Sequence, residues 1–239
     1  MAPCAPQAGL TQVKPRRGRR AIIRPMDLLE FARGPALAFA AAVFLLGLAW
    51  RLYGIFRRPV RADHSEPRHS NTAAGGLRAV FAKMLPPKNV RVRGVAMANA
   101  YTYHIGLALV AFAFTPHIVF IARHSGVTWP ALPDPVTYAA TAVAIVGLLI
   151  ALVTRLTDPV LRLLSNFDDY FSWCVTMLPL VTGIVLLPMP AQPLWLAIHL
   201  LSLELLLVWL PFGKLAHAVL VFVSRYRTGV DFTRKGAAL

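Results

Sequence analysis

Four histidines stand where water is scarce. His104 lies in the apolar stretch VAMANAYTYHIG and His117 follows a proline at its far end, while His199 and His217 open and close HLLSLELLLVWLPFGKLAH. An ionisable side chain inside an apolar segment is costly to leave unpaired, so it points to function unless a neighbouring helix satisfies it by a hydrogen bond. Neutral imidazole is a good iron ligand, and two histidines on facing helices can clamp one haem between them. Two helices with two histidines each can therefore clamp two haems, stacked across a bilayer as an electron wire. The bland alternative is four imidazoles each hydrogen-bonded separately within a helix bundle. The other three, His64 and His69 in a basic loop and His124 at a membrane edge, read as ordinary solvated residues.

The elements that must carry these residues follow from charge segregation. The 239-residue chain is 57% hydrophobic yet has a formal charge of +15, so its charges cannot be evenly spread. Charge-poor runs of about 20 residues match the length of helices crossing a hydrocarbon layer. Unpaired backbone groups are too costly in lipid for open strands, and the runs lack the alternation of barrel strands. The fold class expected is an all-α polytopic membrane bundle of five transmembrane helices, over 34–53, 95–121, 136–153, 169–187 and 194–223. Residues 1–25 form a basic N-terminal extension, with Met26 a candidate biological start, and 26–239 a single membrane domain. A basic loop at 56–94 holds one short amphipathic stretch, LRAVFAKML. Its basic residues lack aromatic interleaving and sit beside membrane spans, which argues against nucleic-acid binding.

Positive charge sets the orientation. The loop from Arg51 to Arg93, then Arg155 and Arg162, then Lys214, Arg225, Arg227, Arg234 and Lys235 all fall on one side, against Arg33 and Arg123 on the other; Lys14, Arg16, Arg17, Arg19, Arg20 and Arg24 would join the latter against the rule, which is the reason for taking Met26 as the start. The positive-inside rule makes the loaded side, with the C-terminus, cytoplasmic. His104 and His217 then share the inner level, and His117 and His199 the outer. Along span five the two histidines are 18 residues apart, five full turns of a straight helix, and would share one face. In span two the separation of 13 leaves them roughly 140° apart. Pro116 can re-aim His117, and Pro211 can bend span five.

Cys4 and Cys174 cannot build a disulfide framework, a zinc site or a c-type haem attachment. Asn166, Asp168 and Asp169 suit the N-terminal cap of span four. Trp129 and Trp195 suit an interfacial aromatic belt.

The stretch from His199 to PFGKLAH, the SRYRTGVDFTRKG tail, YHIG at 103–106 and SNFDDY at the start of span four together resemble one family. It is the respiratory nitrate reductase gamma subunit family, with the related membrane di-haem cytochrome b subunits of sulfite-reductase-linked and heterodisulfide-reductase-like complexes. The resemblance covers about residues 26 to 235. It implies a multi-pass subunit of the bacterial inner membrane in a quinol-dependent oxidoreductase complex. Two b haems would be held by His104, His117, His199 and His217. Electrons would pass between the quinone pool and a cytoplasmic iron-sulfur protein subunit, with substrate reduction on a partner. One departure stands out: the nitrate reductase subunit carries its second ligand about ten residues after the first, and Phe114 occupies that place here. Either His117 substitutes for it or the outer haem is lost.

The resemblance also implies quinol oxidation near the outer haem, where Arg123, His124 and Glu204 are the candidate residues. Glu204 could relay protons, or hold a haem ligand or neighbouring helix by a hydrogen bond. Lys214 could pair with a haem propionate, or simply snorkel to the interface. The competing classes are a single-haem or haem-free membrane anchor and a transporter. A transporter tends to show repeated halves or paired membrane carboxylates, and Glu204 stands nearly alone.

Overall fold

The computed structural model describes residues 27–58, 64–82, 84 and 94–237. The N-terminal extension with its candidate start at Met26, and part of the basic loop, lie outside the described residues. Among the described residues the chain is all-helical, with no strand.

Among the described residues nine helices follow one another: α1 Leu28–Arg57, α2 Thr72–Ala82, α3 Gly94–Ala113, α4 Thr115–Ser125, α5 Asp134–Thr157, α6 Pro159–Leu164, α7 Phe167–Leu186, α8 Pro193–Trp209 and α9 His217–Lys235. Four of them, α1, α3, α5 and α7, are long and apolar enough to cross a membrane, and α8 with α9 would make a fifth if that bent pair is one span. Large apolar side chains point outward along them, Phe39, Leu45, Leu46 and Trp50 among them, as lipid-facing surfaces require.

Two small cores hold the bundle. Ala144, Leu148, Met177 and Leu180 join α5 to α7, with Tyr103, Leu107 and Val110 of α3 packed against them. Ala32, Ala197 and Leu200 join α1 to α8, with Phe120 of α4 alongside. Small residues let backbones approach, the usual device where lipid offers no hydrophobic drive between helices. At Gly106 a Cβ would lie 2.8 Å from the Ala140 carbonyl oxygen and 3.0 Å from the Ala144 Cβ, so α3 and α5 can meet this closely only over a glycine. By contrast α3 packs on α5, and α8 on α7 and α1, while α3 and α8 do not pack closely on each other.

Two expected spans are not single helices. The run 95–121 divides at Phe114, whose extended backbone (φ −85°, ψ 128°) separates α3 from α4. Pro116 has no N–H to offer the Phe112 carbonyl, which instead accepts from Trp129 Nε1 at 2.5 Å. The Ala113 carbonyl accepts from Leu132 N at 2.9 Å. Trp129 thus closes the break in α3–α4 rather than serving only as an interfacial ring.

The run 194–223 divides more sharply. Helix α8 ends at Trp209, a short 3-10 turn covers Lys214–Ala216, and α9 leaves at 83° to α8. Pro211 cannot continue the ladder, and Phe212 and Gly213 both turn their N–H groups back to the Trp209 carbonyl. The five-turn, one-face relation expected of His199 and His217 therefore does not exist, because they belong to different helices. The other three expected spans are each one continuous helix, 28–57, 134–157 and 167–186, with boundaries shifted by a few residues.

In the basic loop the helix begins at Thr72, five residues before the amphipathic stretch expected from Leu77. Helices α2 and α9 pack on each other as a layer at one end of the bundle. Arg68 N donates to the Arg234 carbonyl at 2.9 Å, and Arg227 donates to the Ile55 carbonyl at 3.0 Å, tying α9 to the last turn of α1.

Candidate functional site: two cross-helix histidine pairs

The broken helices bring the four histidines together two by two. His104 of α3 and His217 at the start of α9 have ring centroids 6.0 Å apart with planes at 74°. His117 of α4 and His199 of α8 have centroids 6.0 Å apart with planes at 10°. Each pair thus bridges helices that do not pack closely on each other.

Every one of the four rings has its Nδ1 engaged. His104 Nδ1 donates to the Ala100 carbonyl at 2.7 Å, the ordinary acceptor one turn back on a helix. His117 Nδ1 donates to the Val110 carbonyl at 2.6 Å, seven residues back and across the break at Phe114. His217 Nδ1 donates to the Lys214 carbonyl at 2.7 Å within the turn. A carbonyl can only accept, so Nδ1 carries the proton in these three rings and the lone pair is left on Nε2. His199 Nδ1 lies 3.0 Å from Thr182 Oγ1, whose own hydroxyl donates to the Leu178 carbonyl at 2.9 Å. The hydroxyl oxygen therefore accepts from Nδ1–H, and His199 takes the same tautomer as the others.

Local sequence explains each placement. The break at Phe114 restarts the helix at Thr115, which replaces the 140° offset expected of a straight span and delivers His117 toward α8. The Phe114 ring stands edge-on to it, 5.3 Å between centroids at 90°. On α7, Gly183 makes room for His199: a Cβ there would lie 3.2 Å from the imidazole Cε1. Ser202, one turn along α8, donates to the His199 carbonyl at 2.6 Å and sits 3.0 Å from Thr182 Oγ1.

The His104–His217 pair depends on a polar corner. Lys214 N donates to Asp168 Oδ2 at 2.9 Å and Oδ1 at 3.1 Å, pinning the turn that precedes His217. Asp169, nearly buried, pairs with Lys214 Nζ at 2.5 Å and with Arg155 at 2.8 Å, and Oδ2 also accepts from Asn166 N at 3.0 Å. Trp209 Nε1 donates to Ser172 Oγ at 2.9 Å, and Ser172 donates on to Asp168 at 2.7 Å. The two aspartates read from sequence as cap residues thus also fasten the α8–α9 corner. Thr182, Gly183 and Ser172 had no sequence signal, since small residues in an apolar helix look like packing filler until a partner helix is placed.

Other expected site residues fall elsewhere. Lys214 Nζ is engaged by Asp169. Arg123 and His124 are exposed at the last turn of α4, with His124 Nδ1 donating to the Phe120 carbonyl at 2.8 Å. Glu204 is 5% exposed and lines a cleft between α1 and α8, and neither carboxyl oxygen has a hydrogen-bond partner among the described residues. Among the described residues no group of three or more His, Cys, Asp or Glu side chains could hold a bare metal ion.

No family model matches this chain. It is 30% identical over 215 residues, 87% of this chain and 95% of the other, to a protein of Nitratidesulfovibrio vulgaris (strain Hildenborough) described simply as a protein. This chain belongs to that protein's family. The likeness covers too much of either chain to be confined to the histidine helices.

Proposed function

We propose that this protein is the membrane cytochrome b subunit of a quinone-linked respiratory oxidoreductase of the bacterial inner membrane. It passes electrons between the quinone pool and a cytoplasmic iron-sulfur subunit through two bis-histidine b haems. The observation that carries the reading is the pair of cross-helix histidine contacts with equal ring separations and every Nδ1 already occupied. Two imidazoles that held one metal between their Nε2 atoms, at about 2 Å from each, would have ring centroids about 6 Å apart. The 6.0 Å of both pairs fits that requirement. Two imidazoles are too few for a bare ion, but they complete an iron already held by four porphyrin nitrogens.

A b haem supplies reversible one-electron chemistry when bound. The chain's own residues do the rest. Ala100, Val110, Thr182 and Lys214 fix each ligand's tautomer and aim through its Nδ1, as supporting partners of metal-bound histidine do. A haem at each pair would lie between α4 and α8 for His117 and His199, and between α3 and the start of α9 for His104 and His217. In this reading α8 is the fifth span by itself, since 17 residues lie at the short end of what crosses a bilayer. Helix α9, leaving at 83°, then lies along the cytoplasmic surface with its basic residues and the C-terminus inside.

The decisive measurement is a reduced-minus-oxidised spectrum of the purified protein with a pyridine haemochrome count. Two b haems per chain are expected. One would mean that a histidine level is vacant, and none would overturn the cytochrome reading in favour of a haem-free anchor.

A further inference from the structure

Helix α2 has no polar face. In its sequence, TAAGGLRAVFA, only Thr72 and Arg78 have polar side chains. One side of it is covered by α9. Gly76 and Ala79 are buried there, and the backbones approach so closely that a Cβ on Gly76 would stand 2.6 Å from the Tyr226 ring and one on Gly229 would stand 2.7 Å from the Gly75 carbonyl oxygen. The other side is bare. At about 100° per residue Ala73, Leu77 and Phe81 form a stripe turned away from α9, and Leu77 is 59% and Phe81 69% exposed. A helix that is apolar all round belongs where apolar matter surrounds it, so this stripe calls for a cover.

The depth at which α2 is held says what the cover is. Helix α3 has 20 residues, about 30 Å and just enough to cross a hydrocarbon layer, and Arg93 precedes its first residue. Tyr101 follows Gly94 by seven residues, about 10 Å further along the helix. Its hydroxyl donates to the Met84 carbonyl at 2.9 Å, and Met84 N donates to the Phe81 carbonyl at 3.0 Å. The C-terminal end of α2 is therefore tied to the apolar part of a spanning helix and not to its watery end. Helix α1 gives a second marker. Trp50 and Tyr53 share a cleft with Arg57 and Arg58, the aromatic and basic pairing of a headgroup layer, and Arg227 of α9 donates to the Ile55 carbonyl among them. No Asp or Glu stands between Arg51 and Arg58 or within α2. Arg57, Arg58 and Arg78 are exposed, so this end of the bundle offers lipid phosphates several cations beside apolar side chains.

We propose that α2 is a membrane-inserted element of the loop between the first two spans, with the Leu77–Phe81 stripe among the acyl chains of the cytoplasmic leaflet and Arg78 reaching back to lipid phosphates. Such in-plane helices bury their apolar side about 5–10 Å into the boundary between headgroups and chains, the depth at which Tyr101 holds Met84. The long side chain of Arg78 can return its charge to the headgroups. Neither haem nor quinone enters the argument; only the naming of the leaflet as cytoplasmic rests on the proposed orientation.

The test places an environment-sensitive fluorophore on single cysteines of the full chain, in a Cys4→Ser, Cys174→Ser background, with one chain per phosphatidylcholine nanodisc. Leu77→Cys and Phe81→Cys carry the probes. Leu46→Cys, on the exposed flank of α1, is the lipid standard, and Asp231→Cys, exposed on α9, is the water standard. Lipid bearing a doxyl group high on its acyl chain should quench the labels at 77 and 81 as fully as the lipid standard, with 81, at the end held by Tyr101, quenched at least as strongly as 77. Aqueous iodide should quench the water standard and leave both probes as bright as the lipid standard. A label at position 81 that iodide reaches as readily as the water standard overturns the proposal. Shielding of both probes from both quenchers overturns it in favour of a cover made by the chain itself. Probes open to iodide at one chain per disc and shielded at two assign the stripe to a second copy instead.

Discussion

His117 and His199 face each other with ring centroids 6.0 Å apart and planes only 10° from parallel, although one follows a helix break on α4 and the other lies mid-helix on α8. The inner pair, His104 and His217, repeats the separation at 74°. One mechanical cause serves both. In each pair one partner sits on an unbroken helix while the other is placed by a proline-bearing interruption, at Pro116 or at Pro211.

Each pair is expected to hold its haem independently. His117→Ala or His199→Ala should reduce the haemochrome count from two per chain to one, and so should His104→Ala or His217→Ala. A count of two in all four variants would show that these histidines are not the ligands.

The different plane angles give a spectroscopic expectation. Near-parallel imidazoles produce a rhombic low-spin ferric signal, and near-perpendicular ones a more axial signal with one very large g value. Electron paramagnetic resonance of the oxidised protein should show both. The rhombic component should vanish in His199→Ala and the axial one in His217→Ala; two identical signals would contradict the geometry.

Thr182→Val removes the oxygen that accepts from His199 Nδ1–H while keeping the side chain's shape. Loss of such a supporting partner typically costs about 10–100-fold in affinity for the metal group. Haem titration should show that loss at the outer site alone, with the inner site unchanged. Thr182→Ser, which retains the oxygen, should recover most of it.

The corner between α8 and α9 is held by charge. Asp169 is 4% exposed at its side chain, with Arg155 at 34% and Lys214 at 49%, so removing the carboxylate strands two cations that can partly regain water. Asp169→Ala should therefore destabilise the chain by about 2–3 kcal/mol, below the range for a fully buried pair. It should also lower inner-haem occupancy before outer. Unfolding followed by the Soret bands of the two sites checks the order, and simultaneous loss of both would show that the corner does not serve the inner pair specifically.

Much of this was legible in the sequence because it depends on composition and local pattern. Charge segregation alone points to helices long and apolar enough to cross a membrane, since lipid leaves an apolar run few alternatives to helix. The four histidines stand out because imidazole is rare and costly in such runs. The prolines at 116 and 211 mark where the helices depart from straight, but pattern could not say by how much. Angular reasoning along an assumed continuous span put His199 and His217 on one face, whereas the chain places them on two helices 83° apart. Only the tertiary structure decided the partners. That Thr182 supports His199, that Asp168 and Asp169 fasten the turn before His217, and that Glu204 faces α1 are relations between residues 17 or more positions apart. Periodicity fixes where a side chain leaves its own helix; which neighbour it meets depends on how the helices pack, and that is a property of the whole bundle.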